Sequence, residues 1–103
     1  MRTLEERIMD AARQPDTKCV RCGSTGTTRG CHYNGQRQHT YGKGRSIKCH
    51  PLMTAEFCMI CDALFQEGSV SKDDGPMRDT YSEDFLHWIA MTNISRVARG
   101  IFG

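Results

Sequence analysis

Two Cys-x-x-Cys steps decide how this chain folds: Cys19-Val20-Arg21-Cys22, followed directly by Gly23, and Cys58-Met59-Ile60-Cys61. Two intervening residues let both sulfurs of a pair turn toward one centre, as each half of a tetrahedral zinc site requires. Gly23 permits the tight reversal with positive φ that follows the first pair. The second pair stands at the start of a helical pattern. The sequence therefore predicts a structural zinc ion held by all four cysteines.

The size and composition of the chain explain why its fold needs a stabilising metal ion. It has 103 residues, of which 38% are apolar, so we expect one domain over residues 1–103 with a thin core. Iron–sulfur ligation by the same cysteines is an alternative, and a redox pair would need a thioredoxin-like βαβ pattern that the sequence lacks. Cys31 and Cys49 stay outside this set, as core thiols or alternative ligands.

The redox compartment separates metal ligation from a disulfide framework. The start of the chain, residues 1–7, is charged and has no apolar h-region. No apolar run approaches 18 residues, so we expect no membrane span. These features predict a cytoplasmic protein, and in the cytoplasm thiols stay reduced and favour metal over disulfides.

Capping signals mark two flanking helices. Thr3 with Glu6 and Thr80 with Glu83 form capping-box patterns, and a third helix is predicted to start near Thr54 or Cys58. The expected buried faces contain Leu4, Ile8 and Ala11 or Ala12 in the first helix, and Phe85, Leu86, Ile89, Ala90, Ile94 and Val97 in the last. The predicted divisions are an N-terminal helix in residues 1–16, a zinc-bound core in 17–68, a loop in 69–79 and a C-terminal helix in 80–100.

Charge is distributed unevenly along the chain. The net charge is only +2, but the segment from Lys18 to Ala55 contains seven cations and no Asp or Glu. Such a segment is typical of a face that binds an anion, with nucleic acid as the first expectation. The seven are Lys18, Arg21, Arg29, Arg37, Lys43, Arg45 and Lys48.

The order Cys19-x-x-Cys22, Cys31-His32, Cys58-x-x-Cys61 resembles that of the zinc-stapled HNH nucleases, also called ββα-metal or His-Me finger nucleases. The likeness is strongest to small nuclease-like proteins of tailed phages and prophages, and it covers roughly residues 18–66. It implies a small α+β fold, with a zinc-stabilised treble-clef or ββα-metal core between an N-terminal and a C-terminal helix.

The resemblance also implies a chemistry. His32 would be the general base that activates water against a DNA phosphodiester, and Asp62 would ligate a second, catalytic Mg²⁺ or Mn²⁺. His50 would occupy the middle position of the motif. The chain departs from the family pattern at Asp62, where HNH enzymes usually have histidine, and at Gln66, where they place another ligand.

Two functions follow from these expectations. The first is a metal-dependent DNA endonuclease or nuclease-like recombination accessory, with Arg29, Arg37, Lys43, Arg45 and Lys48 on the phosphates. The alternative is a catalytically inactive zinc-binding module that binds nucleic acid or a host protein, such as a phage regulator or anti-defence inhibitor. A host protein would find aromatic anchors in Tyr81, Phe85 and Trp88, unless these are core residues. The chain is expected to be a monomer or homodimer.

Overall fold

The computed structural model describes residues 2–34, 40, 42, 50–66 and 75–102. Within these residues the protein is a small α+β fold with three helices and one two-stranded antiparallel sheet. The coarse fold class predicted from the sequence is thus confirmed. In chain order the elements are α1 (Leu4–Ala12), β1 (Arg29–His32), β2 (Thr54–Phe57), α2 (Met59–Gln66) and α3 (Gly75–Ala98).

Helix α1 forms as its capping signal predicts. The Thr3 hydroxyl accepts a hydrogen bond from the Glu6 amide at 3.1 Å, and the Glu6 carboxylate accepts one from the Thr3 amide at 3.2 Å. This reciprocal pair satisfies two amides that would otherwise lack partners at the helix start. Ile8 and Ala12 are fully buried, whereas Leu4 is largely exposed. One face of α1 therefore packs on the rest of the molecule.

The sheet presents two different faces. The register pairs Gly30 with Glu56 and His32 with Thr54, and successive side chains of a strand point to opposite sides. These four positions consequently share one face, which lies toward α1 and α3. Cys31 lies on the other face, opposite Ala55 and toward the cysteine pairs and the aromatic core.

Helix α2 starts after β2 rather than at Thr54. Residues Thr54–Phe57 are a strand whose four side chains are all buried, and the helix begins at Met59, one residue past Cys58. The prediction of a helix near Cys58 is correct, and the earlier start at Thr54 is wrong. Pairing with β1 satisfies the backbone of residues 54–57 in the sheet instead.

Helix α3 begins at Gly75, five residues before the predicted start. Thr80 therefore lies inside the helix and does not cap it, and residues 75–79 of the predicted loop are helical. Pro76 suits this start because a proline in the first turn forfeits an N–H that would have had no helical partner. The remainder of the predicted loop lies outside the described residues.

The buried face of α3 differs from the apolar face that the sequence predicts. Phe85 and Ile89 are buried as expected, but Ile94 and Val97 are 63% and 67% exposed. The corresponding inward positions are taken by Thr92 and Arg96, both with no exposed surface, and earlier in the helix by Tyr81. Residues 81, 85, 89, 92 and 96 follow the three- and four-residue spacing of one helix face.

Polar contacts explain why Thr92 and Arg96 face inward. The Thr92 hydroxyl accepts a hydrogen bond from the Glu56 amide at 3.2 Å. The Arg96 guanidinium donates to Thr54 O at 3.2 Å, to Thr54 Oγ1 at 2.7 Å and to Asn93 Oδ1 at 2.8 Å. Buried polar groups are tolerated only when paired in this way. The second half of α3 thus packs on β2 through hydrogen bonds.

An aromatic cluster fills the space between β2, α2 and the first half of α3. The rings of Phe57 and Phe65 stack with centroids 5.0 Å apart, and Phe85 meets Phe65 edge to face at 5.2 Å. Tyr81 completes the cluster, and its hydroxyl donates toward Asn34 Oδ1 and Phe65 O. Tyr81 and Phe85 are consequently core residues, which is the second of the two roles that the sequence left open for them.

The C-terminal end of α3 follows its sequence signal. Gly100 has φ of 74°, its amide donates to Val97 O at 3.1 Å, and the Ile101 amide donates to Arg96 O at 3.0 Å. This is the Schellman arrangement that a glycine past the helix end favours. No helix within the part of the chain that the structure describes has the length and apolarity needed to cross a membrane.

Candidate metal centre

The two Cys-x-x-Cys steps meet at a single point. The Sγ atoms of Cys19, Cys22, Cys58 and Cys61 all lie within 4.8 Å of one another, and those of Cys22 and Cys58 are 3.5 Å apart. A tetrahedral zinc ion with Zn–S bonds near 2.3 Å places its sulfurs about 3.8 Å apart. The spacing and donor set of the cluster therefore fit a metal ion such as zinc, as the sequence predicts.

A hydrogen-bonded turn shapes the first pair. The Cys19 amide donates to Ser24 O at 2.7 Å, and the Gly23 amide donates to Cys19 O at 2.9 Å. Gly23 has φ of 81°, a conformation that glycine adopts without steric cost. The closed turn holds Cys19 and Cys22 on the same side, so that both sulfurs point at the centre.

The second pair is positioned by the junction of β2 and α2. Cys58 follows the strand, and its carbonyl accepts the Asp62 amide at 2.8 Å in the first turn of the helix. The hydroxyl of Thr27 accepts the Met59 amide at 3.1 Å, which satisfies one of the free amides at the helix start. The segments that carry the two cysteine pairs are thus also tied together by a side-chain-to-backbone hydrogen bond that involves no sulfur.

Different surroundings set the acidity of two of the thiols, those of Cys22 and Cys61. Hydrogen bonds from Ser24 lower the pKa of Cys22 to about 6, with a further contribution from Cys58. Burial raises the pKa of Cys61 to about 12, against the hydrogen bond from Arg21, whose Nη1 lies 3.6 Å from the sulfur. Metal binding requires thiolates, so Ser24 and Arg21 favour the charged form that a metal needs.

Ser24, Arg21 and Thr27 are site residues that reasoning from sequence missed. Each contacts a sulfur of the cluster or the backbone that carries it. Outer groups of this kind orient metal ligands and tune their basicity. Ser24 follows the first pair by two residues and Arg21 lies inside it, so proximity to the cysteines was the available signal. Thr27 lies 31 residues before Cys58, and sequence separation hides its contact.

Cys31 lies apart from the cluster and contacts Asp62. The Asp62 carboxylate hydrogen-bonds the Cys31 thiol, and together with burial, the larger cause, it raises the pKa of that thiol well above its usual range. Cys31 is therefore a buried neutral thiol. Of the two roles that the sequence left open, core thiol or alternative metal ligand, the structure favours the first. Cys49 lies outside the described residues.

The three residues predicted to be catalytic lie in separate environments. Asp62 contacts Cys31, and alternation along β1 places His32 on the opposite face of the strand. The Nδ1 atom of exposed His50 accepts the Leu52 amide at 3.1 Å and so belongs to a local turn. Among the described residues, the four cysteines are the one group of three or more His, Cys, Asp or Glu side chains close enough to share a metal ion.

The predicted nucleic-acid contacts are described only in part. Arg29, at the start of β1, is exposed, as are Lys18 and Arg21 beside the first cysteine pair. The other four predicted contacts, Arg37, Lys43, Arg45 and Lys48, lie outside the described residues. Lys18 and Arg21 adjoin the first two ligands along the chain, and Arg21 also contacts the sulfur of Cys61.

Comparison with known proteins identifies no relative. The chain matches no protein-family model, no curated protein and no solved structure. Any functional conclusion consequently depends on the chemistry of the chain itself.

Proposed function

We propose that the chain is a zinc-stapled nucleic-acid-binding module with a treble-clef or ββα core, acting without a second metal. The observation that supports this most directly is the coincidence of two features in one segment. Residues 18–55 carry seven cations and no acid, and the same segment begins at the cysteine turn of the metal cluster. A metal bound by the four cysteines would hold the start of that segment on the fold, and the three cations of the segment that the structure describes, Lys18, Arg21 and Arg29, are exposed.

The metal site is of the structural type. Four protein sulfurs complete a tetrahedral shell, whereas catalytic zinc sites keep one position open for water or substrate. A zinc ion bound here would supply cohesion between residues 19–22 and the start of α2. The residues that would hold it are the four cysteines, with Arg21 and Ser24 supporting their charged form.

The charge pattern favours a polyanion over a protein partner. Cations in the Lys18–Ala55 segment are not alternated with acids, so their potentials add instead of cancelling. The aromatic side chains that would have anchored a protein, Tyr81 and Phe85, are used in the core. Phosphate contacts release counterions from the nucleic acid, so the affinity should fall steeply with salt.

The binding module is tested with zinc-loaded protein and four fluorescent 20-mers: duplex DNA, single-stranded DNA, duplex RNA and single-stranded RNA. We expect log Kd for at least one of them to rise linearly with log salt. Replacing Arg37, Lys43, Arg45 and Lys48 by Gln should reduce the duplex-DNA slope by about three to four. Arg2→Gln, at the far end of α1, is the matched control and should leave it unchanged. Absence of binding to all four probes at low salt would refute the proposal.

A second candidate function is a metal-dependent DNA endonuclease. The order β1, β2, α2 supports it, as does the position of His32 as the last residue of β1. In this hypothesis His32 is the general base, and Asp62 ligates Mg²⁺ or Mn²⁺. The position of Asp62 on the other side of β1, against Cys31, makes this the weaker of the two.

The nuclease hypothesis is tested with supercoiled plasmid and Mg²⁺ or Mn²⁺. Cleavage that is abolished by His32→Ala and by Asp62→Asn, with His87→Ala as the control for an exposed histidine, would establish it. Cleavage that persists in both variants would refute the nuclease hypothesis, and so would the absence of cleavage by the unaltered protein. The binding module would then be the remaining proposal.

A further inference from the structure

An open groove lies between the end of α1 and the start of β1. It has a volume of about 400 Å³ and is lined by Met9 and Arg13 from α1 and by Gly26, Thr27 and Arg29 from the approach to β1. A volume of this order admits a phosphate group with its hydration. The groove lies beside the metal cluster, since Thr27 also binds the first amide of α2.

The charge of the groove is positive. Among the described residues that line it, Arg13 and Arg29 are the two ionisable ones, and none is a carboxylate. The nearest acid contact of Arg13 is Asp10, with Nη1 and Oδ1 4.0 Å apart, which is too long for a hydrogen bond. Arg13 consequently keeps donors for a ligand. Arg29 starts on the Cys31 face of β1, but it is exposed and lines the groove, and its guanidinium has no hydrogen bond or ion pair with the residues that the structure describes. The planar forks of both arginines match the geometry of phosphate oxygens.

The walls of the groove are held close together. A side chain on Gly30 would come within 2.9 Å of Met9 Sδ, so glycine allows α1 to lie directly against β1. The Thr27 hydroxyl accepts the Met59 amide, and its own proton is not used in that bond. Gly26 has φ of 99°, and no atom lies within 4 Å of the position its Cβ would take, which leaves the entrance open.

A second cavity offers a natural comparison. It has a volume of about 260 Å³ and contains Lys18 and Arg99, but also Asp16 and Glu56. Arg99 is already paired, with its Nη2 2.6 Å from Glu56 Oε1. The carboxylates would repel a phosphate, so this cavity does not compete with the groove for an anion.

We propose that the groove between α1 and β1 binds one phosphodiester group of a nucleic-acid backbone through Arg13 and Arg29, with the Thr27 hydroxyl as a third donor. This inference rests on the proposed function and deepens it. It adds Arg13, which lies before the basic segment, and it gives Arg29 a defined partner. Phosphate contacts of this kind position a nucleic acid without reading its sequence.

The test measures binding of a fluorescent 20-bp DNA duplex to zinc-loaded protein over a series of salt concentrations. Arg13→Gln and Arg29→Gln should each weaken binding about tenfold and reduce the salt slope by about 0.9. Arg2→Gln is the matched control, because it removes one exposed cation that belongs neither to the groove nor to the basic segment; it should leave the slope unchanged. Arg13→Lys should keep the slope and lose part of the affinity.

The outcomes separate the groove from the proposed function. Equal slopes for the unaltered protein and the Arg13 and Arg29 variants would overturn the phosphate site while leaving nucleic-acid binding intact. A slope reduced equally in Arg2→Gln would also overturn it, since the net charge of the protein alone would then be responsible. No binding by the unaltered protein to DNA or RNA would refute the proposed function itself. Zinc content and melting temperature of each variant verify that both arginine variants are folded.

Discussion

Individual side chains supply the cluster with charge compensation. Four thiolates around a divalent ion carry a net negative charge, and Arg21 Nη1 lies 3.6 Å from Cys61 Sγ. The guanidinium is the nearest cation that the structure describes at a sulfur of this site. Its hydrogen bond lowers the pKa of Cys61 against the effect of burial, and so eases the proton loss that metal binding requires.

Arg21→Gln is therefore expected to weaken zinc binding by about ten- to a hundredfold, the usual effect of removing an outer group from a metal site. Competition with a chromogenic chelator at neutral pH measures the affinity. Arg13→Gln serves as the control, since Arg13 lies at the groove away from the sulfurs. Equal zinc affinity in both variants would show that Arg21 does not support the cluster.

The Tyr81 hydroxyl is a second residue with a specific structural role. Tyr81 is 2% exposed, and its O–H donates toward Asn34 Oδ1 and Phe65 O. Tyr81→Phe should lower the free energy of unfolding by about 1–3 kcal/mol because buried acceptors lose their donor. Urea denaturation measures the change, and a difference below the error of the method would contradict it.

The same residue gives a pH dependence with a defined sign. Burial raises the pKa of Tyr81 from 10 to about 12, so the folded chain holds the phenol proton more firmly than the unfolded chain. The stabilisation is complete below pH 10 and is lost as pH rises from about 10 to 12. The stability difference between the unaltered protein and Tyr81→Phe should shrink over that interval. A constant difference from pH 8 to 12 would contradict this.

At the scale of elements, helix α3 uses two kinds of packing. Its first half contributes Phe85 to the aromatic core, and its second half binds β2 through Thr92 and Arg96. Burial lowers the pKa of Arg96 to about 10, opposed by the Glu56 carboxylate, so the side chain stays charged at neutral pH. A charge with no exposed surface is tolerated only while its partners remain.

Arg96→Met should consequently destabilise the protein by about 2–5 kcal/mol, since two buried oxygens of Thr54 lose their donor. Ile94→Ala, on the exposed face of the same helix, should change stability by less than about 0.5 kcal/mol. Urea titration of both variants provides the comparison. A larger effect at Ile94 than at Arg96 would mean that the apolar face predicted from the sequence is the buried one.

The helices and strands also show which structural features could be predicted from sequence patterns. The capping box at Thr3 and the glycine at position 100 placed two helix ends correctly, because each is a local interaction within a few residues. The apolar period of α3 failed after Ile89, since Thr92 and Arg96 are buried by partners on β2, 36 and 42 residues earlier. Similarly, the sheet pairing that took Thr54 out of α2 is not local. The spacing of apolar residues within one helix gives no information about such distant partners.

For the whole molecule, the metal cluster and the aromatic core form one unit. Cys19, Cys58 and Cys61 are buried in contact with the cluster that contains Phe57 and Phe65. The sequence predicted the four ligands because their spacing follows directly from zinc geometry. It could not locate the groove of Arg13 and Arg29, which depends on how α1 docks against β1.

Metal removal is expected to unfold the protein as a whole. Stripping zinc with EDTA, or changing Cys58 to Ser, should abolish the cooperative melting transition, because four thiols lose the bond that joins residues 19–22 to α2. Circular dichroism with and without added zinc measures this. Elemental analysis should find one zinc per chain, and iron in its place would support the iron–sulfur alternative. A melting transition that chelation leaves unchanged would contradict a stabilising role of zinc in the fold.

The pairing of His32 with Thr54 brings the end of β1 next to the start of β2. Asn34 and His50 stand at the two ends of the intervening stretch, residues 35–49. The entropic cost of joining two fixed anchors rises only slowly with the number of residues between them, by about 0.6 kcal/mol for each doubling. Insertions between positions 34 and 50 should therefore cost little stability, provided that the four cysteines and the register of β1 with β2 are kept.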